Sequence, residues 1–310
     1  MERKKPFLQV EGNKEIVKET KMKKLIERLI IFFIGVPVIV IIVLYLSFYN
    51  NLILNLVAIF FSGIGAVEFS SMLKKKNIHI SKVESFALGA LAPAAIMLNV
   101  SFNLPDWVVQ VVIMTGIAWA LLSRIFSKSK ENENYLYMAA GSFSLLIYPG
   151  FFMYWLIKMG TWQNQYAVLL FLIIAFGNDS IAWLAGTLFG KHNRGIIPVS
   201  PNKSIAGFIG GLFGSVLIAA GAALIFPEAV FPFFKESNSL SALLLLSVII
   251  GFFTGVAAIL GDLAESAMKR SCEFKDSGSL MLGRGGVLDS IDSITVAAPV
   301  FFFLYNHFFF

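Results

Sequence analysis

The chain consists mainly of long apolar runs that are separated by short polar segments. Nine of these runs approach the roughly 20 residues that an α-helix needs to cross a bilayer. They cover approximately 29–48, 52–72, 85–103, 107–126, 136–157, 166–189, 205–226, 240–260 and 288–307. The pattern predicts an all-α polytopic membrane protein with about nine transmembrane helices. Pro149 lies within the fifth run, which we interpret as one kinked helix because membrane helices tolerate proline.

The composition agrees with this prediction and narrows the possible partners. Of the 310 residues, 57% are hydrophobic and only 14% are charged, which is not the balance of a soluble globular domain. A net charge of +6 is compatible with nucleic acid binding. The bases, however, lie in short segments between the apolar runs, so we expect no nucleic acid partner. The single cysteine, Cys272, excludes an internal disulfide and a cysteine metal cluster.

The positions of the bases predict the orientation of the chain. If the N-terminus is cytoplasmic, 23 of the 25 Lys and Arg residues fall in segments on the cytoplasmic side, and only Lys158 and Lys235 fall outside. Lys and Arg concentrate in the cytoplasmic loops of membrane proteins. We therefore expect a cytoplasmic N-terminus, an outer C-terminus and insertion in the inner (cytoplasmic) membrane. The polar segments 190–204 and 261–288 would then face the cytoplasm.

Polar residues also suggest a division of the chain into three parts. We expect residues 1–28 to form a cytoplasmic polar leader that fixes the orientation, 29–126 an N-terminal four-helix membrane region, and 136–310 a C-terminal five-helix membrane region. The first four runs contain few polar side chains. Glu68 is the exception, and it lies near the cytoplasmic end of the second run. Its side chain is predicted either to face a polar cavity or to extend toward the lysines at 74–76, and the sequence leaves both interpretations open.

A second polar stretch follows the eighth run and extends over residues 260–293. Its acids recur at the spacing that places side chains on one face of a helix. One face carries Asp262, Glu265 and Ser266, and another carries Asp289, Asp292 and Ser293. Charges in hydrocarbon are costly, so they must reach water, pair with bases or bind an ion. Carboxylates beside Lys and Arg at a membrane surface suit a polyphosphate bound with Mg²⁺.

The segment between these two faces reads GRGG, and its glycines allow backbone amides to approach an anion. A salt-bridged cytoplasmic loop is the alternative interpretation of the same charges. Composition alone leaves both interpretations open.

A second informative stretch extends over residues 176–204. Asn178 and Asp179 interrupt an apolar helix, and an ionisable residue at such depth predicts a functional role. Lys191 and Lys203 follow at its cytoplasmic end. Two interpretations of these lysines are open. As compact point charges they are suited to bind a triphosphate, or they serve only to keep this segment on the cytoplasmic side. The glycines of the seventh run, at 207–214, predict close packing against another helix.

These two stretches resemble the sequence signatures of the CDP-diglyceride synthetase family, the phosphatidate cytidylyltransferases. The later signature is matched by Ser266, Lys269, Arg270, Lys275, Asp276, Gly278, Gly285, Gly286, Asp289 and Asp292. The earlier ones are matched by Asp179, Ser180, Ala182, Trp183, Gly186, Gly190, Lys191, Ser200, Pro201, Lys203 and Gly207. The resemblance covers roughly residues 135–310.

Five positions depart from the family pattern. In the later signature, Arg284 replaces a histidine and Ser290 replaces an arginine. In the earlier one, Asn202, Ser204 and Ala206 replace a lysine, a threonine and a glutamate. The roles that relatives assign to those side chains do not transfer to this chain.

The resemblance implies a reaction in which phosphatidic acid and CTP give CDP-diacylglycerol and pyrophosphate. It implies Mg²⁺ as cofactor, with a second cation left open, membrane lipids as surroundings and a homodimer left open. The implied catalytic residues are Asp262, Lys275, Asp276 and Asp289, and the implied metal ligands are Asp262, Asp289 and Asp292. The implied substrate-binding residues are Asp179, Lys191, Ser200, Lys203, Lys269, Arg270, Gly285 and Gly286. Arg284 departs from the family pattern, but it keeps a cation at that position, and we expect it to contact phosphates as well.

Two other classes of protein remain as alternatives. A CTP-dependent lipid-alcohol kinase of the dolichol or phytol type would transfer the γ-phosphate. An ion-coupled transporter would use Asp179, Asp289 and Asp292 as a carboxylate relay, which would place these acids in the middle of the bilayer.

Overall fold

The computed structural model describes residues 31–125, 134–232, 234, 239–281 and 285–309. The predicted leader at 1–28, Lys235 and Arg284 lie outside these ranges. All regular structure within them is helical. The helices are α1 (Val36–Tyr45), α2 (Phe48–Leu73), α3 (Lys82–Phe102), α4 (Asp106–Leu122), α5 (Tyr135–Leu145), α6 (Phe152–Lys158), α7 (Gln165–Phe189), α8 (Ile205–Ile225), α9 (Pro227–Val230), α10 (Leu240–Ser271) and α11 (Leu288–Phe309).

The prediction of an all-helical membrane protein is confirmed for this part of the chain. Seven helical segments among the described residues are long and apolar enough to cross a membrane. The first and fourth apolar runs form shorter helices, Phe33–Tyr45 and Asp106–Leu122. The predicted count of nine crossings therefore stays a prediction, because it depends on these two shorter helices.

The fifth apolar run forms one candidate span, Tyr135–Trp162, as predicted. Within it, α5 and α6 are joined by a π-helical turn, Leu146–Phe151, that contains Pro149. Proline lacks a backbone N–H and cannot continue the regular helical hydrogen bonds. Tyr148 accordingly leaves the helical region, with φ −122° and ψ 114°.

The eighth apolar run continues as a helix further than its hydrophobic residues indicate. Helix α10 begins at its N-cap Ser239, whose side chain accepts a hydrogen bond from the amide of Ala242. It continues through 32 residues to Ser271. Asp262, Glu265 and Lys269 therefore lie on its last turns, where successive side chains at this spacing share a face.

Helix α11 lies at the centre of the bundle. It packs against α10 along its length and also contacts α2, α6 and α7. Consequently it touches helices from both sides of the predicted boundary between 29–126 and 136–310. That division into two membrane regions stays a prediction.

Small residues bring α7, α8 and α10 close together. Gly210 of α8 packs directly against Ala185 of α7. Asn178, which is 1% exposed, donates to the hydroxyl of Ser215 on α8 at 2.9 Å and to the carbonyl of Gly255 on α10 at 3.4 Å. Because a buried amide needs such partners, these bonds fix the helix that carries the neighbouring Asp179.

Candidate active site

Asp289, in the first turn of α11, closes the loop that precedes that helix. Its Oδ2 accepts from the amide of Ser277 at 2.9 Å, from the hydroxyl of Ser277 at 2.9 Å and from the amide of Gly286 at 2.8 Å. Gly285 has φ +108°, and a Cβ there would lie 2.7 Å from the same oxygen. Only glycine adopts this conformation without strain, so the loop depends on it.

Lys269 joins the end of α10 to the start of α11. Its ammonium group forms ion pairs with Glu265, one turn earlier on α10, and with Asp289 on α11. Glu265 is fully buried and Lys269 is 8% exposed. An ammonium group has three donors, so these two carboxylates leave one donor of Lys269 for a substrate.

Lys203 brings the earlier polar stretch to the same region. It pairs with Asp262 of α10, and both side chains are partly exposed. Lys203, from the loop at 190–204, and Asp262 of α10 are therefore direct neighbours, although 59 residues separate them along the chain.

Asp179 and Asp292 face one another across the hydroxyl of Ser293. That hydroxyl lies 3.1 Å from both carboxylate oxygens of Asp179 and 3.3 Å from Oδ1 of Asp292. Asp292 is 6% exposed and lies within electrostatic reach of Asp262 and Asp179. The three aspartates thus belong to one cluster, on α7, α10 and α11.

Glu68 of α2 is a buried acid that the sequence analysis left without a role. Its Oε1 accepts from the amide of Val287 at 3.0 Å, and its Oε2 accepts from the amide of Leu288 at 2.9 Å. The hydroxyl of Ser277 lies 3.1 Å from Oε2 and 2.9 Å from Oδ2 of Asp289, and its single proton is available to one of these two oxygens at a time. The signal that could have identified it was its position as a lone acid in an apolar helix.

The other predicted site residues that the structure describes at 190–204 and 270–276 are more exposed. Lys191, Arg270, Lys275 and Asp276 are exposed and Ser200 is partly exposed. Arg270 donates to the carbonyl of Phe274 at 2.9 Å. In the part of the chain that the structure describes, neither Lys191 nor Lys275 has a carboxylate partner. Arg284 lies outside the described residues.

The aspartate cluster has the chemistry of a cation site. Its donors are carboxylate oxygens, which Mg²⁺ prefers, and Asp292 has no Lys or Arg partner within the described ranges. Buried carboxylates that lack bases need a cation or a proton. No three side chains of the described residues form a ready coordination sphere. Such a site fits Mg²⁺, which is commonly held by one or two carboxylates together with water and substrate phosphates.

Comparison with known proteins gives a consistent result. The chain matches the model of the cytidylyltransferase family over residues 26–308. The phosphatidate cytidylyltransferase of Staphylococcus haemolyticus is 32% identical over 213 residues, which are 68% of this chain and 75% of that protein. That of Staphylococcus epidermidis is 30% identical over 252 residues, 81% of this chain and 89% of the relative. That of Staphylococcus saprophyticus is 28% identical, with the same coverage of both chains.

The helical fold, with acids and bases grouped at the ends of its apolar helices, defines a multi-pass membrane protein with a polar site. The family match extends over nearly the whole chain, both polar stretches included. The chain belongs to the cytidylyltransferase family and is a nucleotidyltransferase of phospholipid biosynthesis.

Proposed function

We propose that this enzyme transfers the cytidylyl group of CTP to phosphatidic acid and releases pyrophosphate and CDP-diacylglycerol. The observation that carries the proposal is the convergence of its two polar stretches. Lys203 pairs with Asp262, and Lys269 pairs with Asp289. Bases for phosphates and acids for a cation therefore lie together, and the names of the relatives supply the substrates.

In the proposed reaction, an oxygen of the lipid phosphate attacks the α-phosphorus of CTP. A new P–O bond forms to the α-phosphorus while the bond between the α-phosphorus and the bridging oxygen breaks, and pyrophosphate leaves. The attacking phosphate is already anionic near neutral pH, so the reaction needs no strong general base. The barrier is electrostatic, because two anions must meet while a third departs.

The bases of the chain would lower this barrier by binding the phosphates. Lys191 and Lys275 are exposed and lack carboxylate partners within the described part of the chain, so their charges are available. Lys203 is partly exposed beside Asp262 and would approach the triphosphate from the loop at 190–204. Arg270 and Arg284 would add charge, and Ser200, Gly285 and Gly286 would add donors.

We propose that Asp262, Asp289 and Asp292 hold Mg²⁺, with Asp179 and Asp276 beside them. When bound, the ion would neutralise phosphate charge and orient the reacting groups. Oδ1 of Asp289 accepts only from Lys269 among the described donors, whereas Oδ2 already accepts three hydrogen bonds. Oδ1 is therefore the oxygen of Asp289 with remaining acceptor capacity. A second cation and a homodimer stay open.

The distribution of bases supports nine crossings, a cytoplasmic N-terminus and an outer C-terminus. In this orientation the site lies on the cytoplasmic face of the inner membrane and opens to the cytoplasm, where CTP is present. The lipid would enter sideways between helices and keep its acyl chains in the bilayer.

The test uses the full-length protein in mixed micelles with phosphatidic acid, Mg²⁺ and CTP that is labelled on either the α- or the γ-phosphate. We expect label to enter lipid only from the α-phosphate. Release of pyrophosphate in equal amount would establish the balance of the reaction.

The same assay distinguishes the alternatives. Label from the γ-phosphate alone would replace the proposal with a CTP-dependent lipid kinase. No incorporation from either position would reject both activities for this chain and leave an ion-coupled transporter or an inactive relative. Micelles that contain phosphatidylcholine in place of phosphatidic acid serve as the control and should remain unlabelled.

A further inference from the structure

Glu68 is a buried carboxylate that accepts hydrogen bonds but forms no ion pair with a base among the described residues. It is 7% exposed. Its donors are the amides of Val287 and Leu288 and the hydroxyl of Ser277. Two backbone amides that bond a single carboxylate in this way are typical of an acid at a helix N-terminus, where negative charge is favourable.

The backbone of the signature loop closes tightly around this carboxylate. A Cβ at either Gly278 or Gly286 would overlap an oxygen of Glu68. Glycine is therefore required on both sides of the loop for the approach. The two segments that Glu68 holds together, 277–278 and 286–288, flank residues 282–284.

Glu68 and Asp289 act on the same loop atoms. The hydroxyl of Ser277 lies 3.1 Å from Oε2 of Glu68 and 2.9 Å from Oδ2 of Asp289. Asp289 in turn belongs to the first turn of α11, whose start is bonded to Glu68. A displacement of the Glu68 carboxylate must therefore move the start of α11, and with it Asp289 and Asp292.

We propose that Glu68 is a positioning residue for the cytidylyl transfer site. It ties the first turn of α11 and the loop that follows α10 to α2, and so sets the spacing between Asp262 and the two aspartates of α11. This role rests on the proposed function, and Glu68 acts through the loop rather than on the substrates. The N-terminal helices thus contribute to the site through α2, outside both signature stretches.

The test compares the variant Glu68→Gln with the matched control Glu84→Gln. Glu84 lies on α3 and, like Glu68, accepts hydrogen bonds. Its donors are the side chains of Arg124 at 2.7 Å and Trp119 at 3.1 Å. Neither of these bonds involves the signature loop. In Glu68→Gln the new amide would keep the size of the side chain but would turn an NH₂ group toward backbone amides that are donors themselves.

Two measurements follow on each full-length variant in detergent. Hydrogen–deuterium exchange of backbone amides at 277–281 and 285–290 should become faster in Glu68→Gln and stay unchanged in Glu84→Gln. The Mg²⁺ concentration for half-maximal rate should rise about 10–100-fold in Glu68→Gln, as for other groups that orient metal ligands. Glu68→Asp keeps the charge, so its catalytic rate at a given Mg²⁺ concentration should lie between that of Glu68→Gln and that of the wild type.

Three results would overturn the proposal. Unchanged exchange in a folded Glu68→Gln protein would mean that Glu68 does not hold the loop. Faster exchange with an unaltered Mg²⁺ requirement and kcat would reduce Glu68 to a purely structural role. If Glu68→Gln does not fold, Glu68→Asp carries the test, and wild-type exchange and Mg²⁺ dependence in that variant would reject the proposal.

The exchange measurement also separates this inference from the proposed function. A wild-type protein that incorporates no α-label would reject the cytidylyl transfer and, with it, the role of Glu68 in that reaction. The exchange rates would still decide whether Glu68 holds the loop.

Discussion

At the scale of single residues, the acids of the site have unequal surroundings. Asp289 receives donors on both oxygens, from Lys269, Ser277 and Gly286. Asp292 is buried as well, yet its side chain accepts only from its neighbour Ser293 among the described donors. A charged carboxylate without bases in such a position is costly unless it takes up a proton or a cation binds it. This difference favours Asp292 as a ligand and gives Asp289 the additional task of closing the loop.

Replacement of Asp289 by asparagine tests the double role of that residue. The amide removes a charge and offers only one acceptor oxygen where the carboxylate accepts from Lys269, Ser277 and Gly286. We expect turnover to fall to about 1% of the wild-type rate or lower. The protein should remain folded, because Lys269 keeps its ion pair with Glu265. Label incorporation and size-exclusion chromatography in detergent measure the two effects.

Asp106→Asn is the control for this substitution. Asp106 is an exposed acid at the start of α4 that accepts a hydrogen bond from Asn99 at 3.2 Å. Its variant should keep wild-type turnover. Wild-type activity in Asp289→Asn itself would remove Asp289 from the metal site.

At the scale of helices, close packing between α7 and α8 determines where Lys203 and Asp179 lie. Gly210 and Gly214 of α8 pack against Ala185 and Ile181 of α7 so tightly that a Cβ at either glycine would overlap its neighbour. Without a hydrophobic driving force in lipid, such close packing is the main source of helix association. The glycines of the seventh run are therefore packing residues, as their spacing predicted.

Gly210→Ala should destabilise the protein by about 1–3 kcal/mol, since an added methyl group must displace a backbone-fixed Ala185. Gly221 lies on the same helix with no atom within 4 Å of its missing Cβ. Gly221→Ala should therefore be neutral or stabilise by up to about 1 kcal/mol through helix propensity. Thermal unfolding in detergent compares the pair, and equal midpoints would show that this contact does not limit stability.

At the scale of the whole molecule, the number of crossings depends on the two shorter apolar helices, Phe33–Tyr45 and α4, and the case of α4 can be tested directly. This helix has 17 residues, which extend over about 26 Å, whereas the hydrocarbon core is about 30 Å thick. If α4 crosses the membrane, the chain makes three crossings between Lys76 and Thr161, by α3, by α4 and by the span Tyr135–Trp162. These two exposed residues then lie on opposite sides of the membrane. If α4 does not cross, both residues lie on the same side.

Single cysteines decide between these topologies. The native Cys272 is replaced by serine, and Lys76→Cys and Thr161→Cys are introduced one at a time. Both positions are exposed, so a membrane-impermeant maleimide can reach them. We expect labelling of intact cells at position 161 only, and labelling at position 76 only after lysis. Labelling of both positions in intact cells, or of neither, would reject a crossing by α4.

The sequence by itself determined the helices, the class of protein and the two stretches that carry its chemistry. Apolar runs of bilayer length leave few alternatives to helices, because backbone groups in hydrocarbon must bond within their own segment. The sequence also predicted which acids of α10 and of α11 lie on the same face, since spacing along one helix fixes which side chains share a face. Helix length was less predictable, because α10 continues through the polar residues as far as Ser271.

Only the tertiary structure decided which charge meets which. Hydropathy treats Glu68 in the same way whether it faces lipid headgroups, water or a loop 209 residues away. Likewise, nothing local indicated that Lys269 reaches Asp289, or that Lys203 reaches Asp262. These contacts depend on how the helices pack and rotate against one another. Packing is decided by shape complementarity between distant segments, and a one-dimensional pattern of apolar and polar residues does not contain it.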